Sequence, residues 1–276
     1  MSLRLAYNTN GASSHRLDDA IALIADSGYQ GVALTLDHHH LDPFADDWRQ
    51  ATERLRRRLD ELRLGAVIET GARYLLNPRE KHEPTLLHPS EEGRARRVEF
   101  LHRAIDIAVL LGSETVSFWA GVPKPTVNRD QAVAWLYEGI AKVCERAEQV
   151  GVTVSLEPEP GMLVETVADY RTVAEHQPSL RLALDTGHCL VTQDIAPDEA
   201  IRTCADVIGT VSVEDMKVGD HTHLPFGEGD IDLPAIVQAL HDIRFTGLVC
   251  VEYSRESPRA HLAIPEAAAA LRAAGA

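Results

Sequence analysis

A closed (β/α)8 barrel of the TIM type, with an eight-stranded parallel sheet, is the α/β fold this chain predicts, and three observations lead there. The 276 residues, 45% hydrophobic and 25% charged, have the length and balance of one large globular barrel. A short β-branched or apolar run, a polar loop and a helix-period segment recur about eight times along the chain. The later runs also set an apolar face against a small or polar face, and they end in an acid.

Strands are expected at Leu3–Asn8, Gly31–Asp37, Gly65–Glu69, Glu114–Trp119, Val152–Glu157, Leu180–Asp185, Thr210–Glu214 and Leu248–Glu252. Amphipathic helices are expected at Leu17–Ser27, Trp48–Leu62, Ala95–Leu111, Asp130–Val150, Thr166–His176, Leu233–His241 and His261–Ala273. Glycines in SGYQGVAL, LRLGAV, LGSETVSF, VGVTVSLE and FTGLVCVE stand where a helix C-cap hands over to a strand. Strict alternation requires parallel pairing through right-handed crossovers, which a doubly wound open sheet also satisfies.

Parity separates the two folds. In the fifth strand Val152, Val154 and Leu156 share one face, and Thr153, Ser155 and Glu157 share the other. The sixth, seventh and eighth strands repeat the pattern, ending in Asp185, Glu214 and Glu252. A doubly wound sheet wants apolar residues on both faces. A barrel that opens on a site at its C-terminal end produces the observed contrast. Nothing resembling a linker or a break in composition interrupts residues 1–276, which read as one domain. The longest irregular stretch, Leu75–Glu92, has the length of a lid or binding loop.

The net charge of −15 argues against a nucleic-acid partner, because phosphate binding needs clustered Lys and Arg. Apolar runs fall short of the ~20 residues that span a bilayer, and MSLRLAYNTNG lacks the pattern of a signal peptide. A cytoplasmic protein without a membrane partner is expected, with a homo-oligomer left open. Cys144, Cys189, Cys204 and Cys250 lack CxxC spacing and read as reduced, buried thiols. Thirteen histidines bunch at 38–40 and at 221/223, hinting at metal or proton chemistry.

Four acids end strands: Glu157 in SLEPEPG, Asp185 in LALDTGH, Glu214 in VSVEDM and Glu252 in VCVEYS. A lone strand-end acid reads as a cap or ion-pair partner. Four at one depth repel one another unless a cation sits among them or some hold protons. One divalent ion with oxygen and imidazole ligands, Mn²⁺, Mg²⁺, Co²⁺ or Zn²⁺, resolves the conflict. His188, three residues after Asp185, lies in the loop just above it.

LEPEP, LDTGH, VSVEDMK and GLVCVEYS, with the later HLPFGEGDIDLPAIVQAL, together resemble the xylose-isomerase-like TIM barrels, and within them the sugar phosphate isomerase/epimerase group. The resemblance spans the chain, is specific for the superfamily and is weak for substrate. It implies metal ligation by Glu157, Asp185 and Glu252, and a substrate contact from His188. It also implies that Glu157 and Glu252 exchange protons with carbons beside a carbonyl, through an enediolate. One position departs: Ser212 stands where the superfamily commonly has an inward histidine. Parity offers Glu214 as the replacement ligand, followed by His221 or His223, then water.

Further substrate contacts are expected from Glu159, Asn8, Glu69 and Trp119 at the same mouth, where a flat aromatic and hydrogen-bonding groups suit a polyhydroxylated substrate. For Glu159 a surface role, and for Trp119 a core role, compete. Arg73, Lys81 and Lys124 read as surface charges or phosphate holders, and His38-His39-His40 as loop packing and solvent, with substrate contact as the lesser alternative. The expected activity is isomerisation or epimerisation of a sugar, sugar phosphate or cyclitol. The rivals are a dehydratase or lyase of a keto-sugar or inosose, an abasic-DNA endonuclease, and a non-catalytic barrel serving as a binding partner.

Overall fold

Burying alternate residues on each side of a pleated strand gives eight parallel strands, and they close on one another. The computed structural model describes residues 2–276. Its barrel strands are β1 (Arg4–Asn8), β2 (Gly31–Thr35), β3 (Gly65–Glu69), β4 (Val116–Trp119), β5 (Val154–Glu157), β6 (Arg181–Asp185), β7 (Ile208–Val213) and β10 (Leu248–Val251). They are arranged in the closed order β1-β10-β7-β6-β5-β4-β3-β2, and every pairing is parallel. The (β/α)8 barrel is therefore the fold.

The expected parity holds. Val154, Leu156, Leu182, Leu184, Val211, Val213, Val249 and Val251 join the large core beneath the helices. Ala6, Ala33, Val67, Leu248 and Cys250 form a separate small cluster. Parallel register then brings the strand ends level. Trp119 pairs with Glu157, Thr35 with Glu69, and Asp185 with Ser212.

The helices are α1 (Leu17–Asp26), α2 (Trp48–Leu62), α3 (Glu91–Leu111), α4 (Arg129–Val150), α5 (Val167–His176), α6 (Thr186–Thr192), α7 (Pro197–Thr203), α8 (Leu233–Asp242) and α9 (Ala260–Ala273). Gly112 and Gly151 end α3 and α4 in the left-handed region, at φ 67° and 71°. Two other turns differ from expectation. Arg63 and Arg244, at φ 56° and 53°, take the left-handed position after α2 and α8, while Gly65 and Gly247 do not. Two short helices, α6 and α7, and an antiparallel hairpin of β8 (Asp215–Lys217) and β9 (Asp220–Leu224) had no counterpart in the sequence reading.

All four cysteines are buried and unpaired. No helix of the described residues is long and apolar enough to cross a membrane.

Candidate active site

The C-terminal strand ends open into a cavity of ≈ 630 Å³. Glu69, Trp119, Glu157, Glu159, His188 and Glu252 all line it, as expected. Asp185, Asn8 and Glu214 do not; they stand behind the lining. The Asn8 side-chain oxygen is occupied, accepting from Asn10 N at 3.1 Å and from Thr35 Oγ1 at 2.8 Å. Its neighbour Asn10 faces the cavity instead and donates from Nδ2 to Glu252 Oε1 at 2.8 Å. Glu69 accepts from the Gly71 amide, which turns the chain after β3.

Asp185 both ends β6 and caps α6, its Oδ1 accepting from His188 N at 2.9 Å. That cap aims the His188 ring at the cavity. His188 Nδ1 lies 2.9 Å from the Pro158 carbonyl, which can only accept, so Nδ1 carries the proton. Nε2 is left as a bare lone pair, buried and without a partner. One donor atom each from Glu157, Asp185 and His188 lies within 4.8 Å of the others, close enough for a single ion to hold all three. An orphaned imidazole nitrogen among carboxylates fits a divalent metal.

Glu214 sits beneath this group, fully buried, with Oε1 accepting from Gly187 N at 3.2 Å. A Cβ on Gly187 would stand 2.2 Å from that oxygen, so the first turn of α6 needs glycine there. Neither Glu214 nor Glu252 belongs to the group that shares His188.

Burial first, then mutual repulsion, pushes the carboxyls toward their protonated forms. Glu157 stands well above the usual range, with Glu159, Glu252 and Asp185 adding to the effect of burial. Glu159 and Glu214 are raised in the same way, and Glu252 is pushed up to about 8. Burial works against ionisation of Asp185 too. The fields of His188 and His223, with hydrogen bonds from the Glu214 carboxyl and the His188 amide, overcome it. Asp185 is therefore the acid held toward its ionised form, and Glu214 the acid held toward its protonated form.

A second shell of groups surrounds the mouth. His221 and His223 of β9 line the cavity beside His188, and His38 and His39 also reach it. Arg73, Lys81 and Arg255 line it as well. Lys124 does not: it is paired with Glu80, and with Glu83 at 2.9 Å. His82, from the long stretch after β3, packs edge-on against Trp119 with ring centroids 5.3 Å apart. Behind Trp119 lies Arg97, fully buried, its guanidinium 4.3 Å from the indole centroid.

The profile of the family described as "Xylose isomerase-like TIM barrel" matches residues 21–274. The chain belongs to that family. It is 23% identical over 259 residues to the 2-oxo-tetronate isomerase of Cupriavidus necator, covering 91% of this chain and 90% of the relative. Among solved structures it is similar to L-ribulose 3-epimerase, with a TM-score of 0.78, 24% identity, and coverage of 99% and 96% of the two chains. It is also similar to the IolI protein with a bound zinc atom, with a TM-score of 0.74, 17% identity, and coverage of 99% and 96%.

Within this xylose isomerase-like barrel, two site features escaped the sequence reading although a signal existed. Arg97 falls on the stripe Gly93, Arg97, Phe100, Leu101 and Ala104, whose spacing marks the buried face of α3. Asn10 lies just past the first strand, two residues beyond the Asn8 that was chosen.

Proposed function

We propose that this chain is a metal-dependent isomerase or epimerase of a sugar or sugar derivative, with Glu157 and Glu252 as its proton-transfer pair. The observation that carries the reading is the placement of these two glutamates, Glu157 buried and Glu252 half-buried, on one polar cavity. Glu157 ends β5, Glu252 follows β10, and Asn10 orients Glu252. A relative that isomerises 2-oxo-tetronate and a structural neighbour that is an L-ribulose 3-epimerase support the same class.

In this reading one glutamate takes the proton from the carbon beside the substrate carbonyl. The other, or the same one, returns it, so that an enediolate lies between the two transfers. Burial supports the role, because a raised carboxyl matches proton exchange near neutral pH far better than an ordinary one. Trp119 gives the sugar a flat wall, and Glu69, Glu159 and His188 offer hydrogen bonds to hydroxyls. Arg73, Lys81 and Arg255 suit a substrate that carries a phosphate or carboxylate. A divalent ion, Mn²⁺, Mg²⁺, Co²⁺ or Zn²⁺, held by donors gathered around His188, would polarise the carbonyl and steady the negative charge that develops on it.

The test is exchange in deuterium oxide with a panel of ketoses, ketose phosphates and 2-oxo sugar acids, followed by proton NMR. The protein should exchange one substrate α-proton, and Glu157→Gln and Glu252→Gln should each slow that exchange by at least ~1,000-fold. Exchange at the normal rate in either variant removes that residue from the pair. Loss of a β-hydroxyl from the product, in place of isomerisation, would assign the dehydratase reading.

A further inference from the structure

The hairpin β8–β9 brings two more imidazoles to the bare nitrogen of His188. His221 and His223 are two residues apart in β9 and so share a face. Their ring centroids lie 4.7 and 6.3 Å from that of His188, and 5.5 Å from each other. One nitrogen from each of the three rings lies within 4.8 Å of one from each of the others. His223 Nδ1, like His188 Nε2, is buried and has no hydrogen-bond partner among the described residues. Two buried, unpartnered ring nitrogens in one three-histidine group are costly unless something occupies the space between the rings.

The surroundings of His188 point the same way. Its Nδ1–H donates to the Pro158 carbonyl, the outer contact by which metal-binding imidazoles fix their coordinating nitrogen. Glu159 stands alongside, with Oε2 3.8 Å from His188 Nε2 and Oε1 3.6 Å from His221 Nε2. On the other side of His188, Asp185 is already engaged by the His188 amide and by Glu214. Both the hairpin group and the strand-end group draw on the one His188 ring, so they compete for one ion.

We propose that the ion of this barrel sits on the hairpin side of His188, held by the imidazoles of His188, His221 and His223 with the Glu159 carboxylate beside them. The inference rests on the metal-dependent reading above and deepens it. Ser212 leaves strand β7 without an imidazole, and β9 supplies two. Three neutral imidazoles favour Zn²⁺ or Co²⁺ over the harder Mg²⁺ and Mn²⁺. Glu157 and Glu252 are then free of ligation and remain available for protons.

The test is titration of chelator-stripped full-length protein with cobalt chloride and zinc chloride, read by the visible absorption of bound Co²⁺ and by competition with a chromophoric chelator. One Co²⁺ per chain with the intense bands of a four- or five-coordinate nitrogen-rich site is expected. His221→Ala and His223→Ala should each weaken binding by at least ~30-fold, and Glu157→Gln and Glu252→Gln by less than ~3-fold. Thermal unfolding of the stripped variants checks that they fold, and His221→Asn and His223→Asn repeat the measurement with smaller changes in volume. Unchanged affinity in the hairpin variants, with a large loss in Glu157→Gln, would overturn the inference and leave the isomerase reading standing. Absence of binding up to millimolar cation, with α-proton exchange retained, would overturn the metal centre and keep the proton-transfer pair. Absence of both binding and exchange would overturn both.

Discussion

Glu214 illustrates how a residue can be read correctly in direction and still be placed in the wrong layer. Parity puts it on the inward face with Ser212, which made it the first choice for a fourth ligand. The chain turns into β8 directly after it, and the carboxyl ends beneath α6, accepting from Gly187 and raised toward its protonated form by burial and by Asp185. A protonated Glu214 can donate toward Asp185, a role that substitution tests. Glutamine can supply that donor through its amide, whereas leucine leaves the Gly187 amide and the Asp185 oxygen unsatisfied. Glu214→Gln should therefore shift metal affinity by less than ~3-fold and stability by less than ~1 kcal/mol. Glu214→Leu should cost about 2–4 kcal/mol in urea unfolding of the stripped protein. A ~30-fold loss of metal in Glu214→Gln would instead restore Glu214 as a ligand. At this scale the sequence revealed which residues are chemical, because acids that end strands are conspicuous. It did not reveal which of them face the cavity, since that depends on turns one or two residues long.

The barrel strands were legible as elements because each is buried on a fixed face, so hydrophobicity alternates with the pleat. The expected ends of β3 and α2 coincide with the observed ones. The hairpin was not legible. DHTHL is polar except for Leu224, and β8 is three residues long with Met216 its one buried apolar side chain. Neither strand is long enough to leave an apolar period in the sequence. Its position depends on Asp215, which accepts from Gly227 N at 2.7 Å and Ile231 N at 3.0 Å and ties the hairpin to the loop before α8. Arg97 was hidden for the opposite reason: a charge on the buried stripe of α3 reads as an interruption. Its Nη2 donates to the Thr70 carbonyl at 2.9 Å, and the carboxylates of Glu69 and Glu83 favour its charged form. It braces Trp119 and the turn after β3 from behind, without touching the cavity. Arg97→Ala should cost about 3–5 kcal/mol of stability, through lost packing and a weakened counter-charge beside Glu69 and Glu83. Tryptophan fluorescence should shift as the indole loosens. A cost below ~1 kcal/mol with an unchanged emission maximum would show that Arg97 supports nothing.

For the molecule as a whole, the packing of acids and imidazoles into one cavity makes stability depend on pH and on the cation together. Desolvation holds the half-buried His82 and His223 down to about 4, and lowers His188 and His221 as well. A group whose pKa is lower in the folded state binds protons preferentially when unfolded. These imidazoles therefore cost stability as pH falls below about 6.5. The carboxyls act in the other direction. Glu252 is raised to about 8, and Glu157, Glu159 and Glu214 are raised with it, so the folded state holds protons that the unfolded chain releases above about 4.5. Their contribution is complete at low pH and is lost as pH rises toward their folded values. The two contributions oppose each other below about pH 6.5, and only the carboxyls act above it. The chelator-stripped protein should therefore be most stable at or below about pH 6.5 and lose stability as pH rises beyond it. Its Tm should fall by at least ~3 °C between pH 7 and pH 8.5, given about 1.4 kcal/mol per proton per pH unit. A bound cation replaces those protons as the counter-charge, so saturating zinc or cobalt should raise Tm at both pH values and raise it more at pH 8.5. Differential scanning calorimetry of stripped and reloaded protein at the two pH values measures this directly. A stripped protein whose Tm is level or rises from pH 7 to pH 8.5 would mean that the cavity carboxyls are already ionised without a cation. The cluster would then have to be stabilised by water and surface exposure, and the case for a resident metal would lose its electrostatic basis.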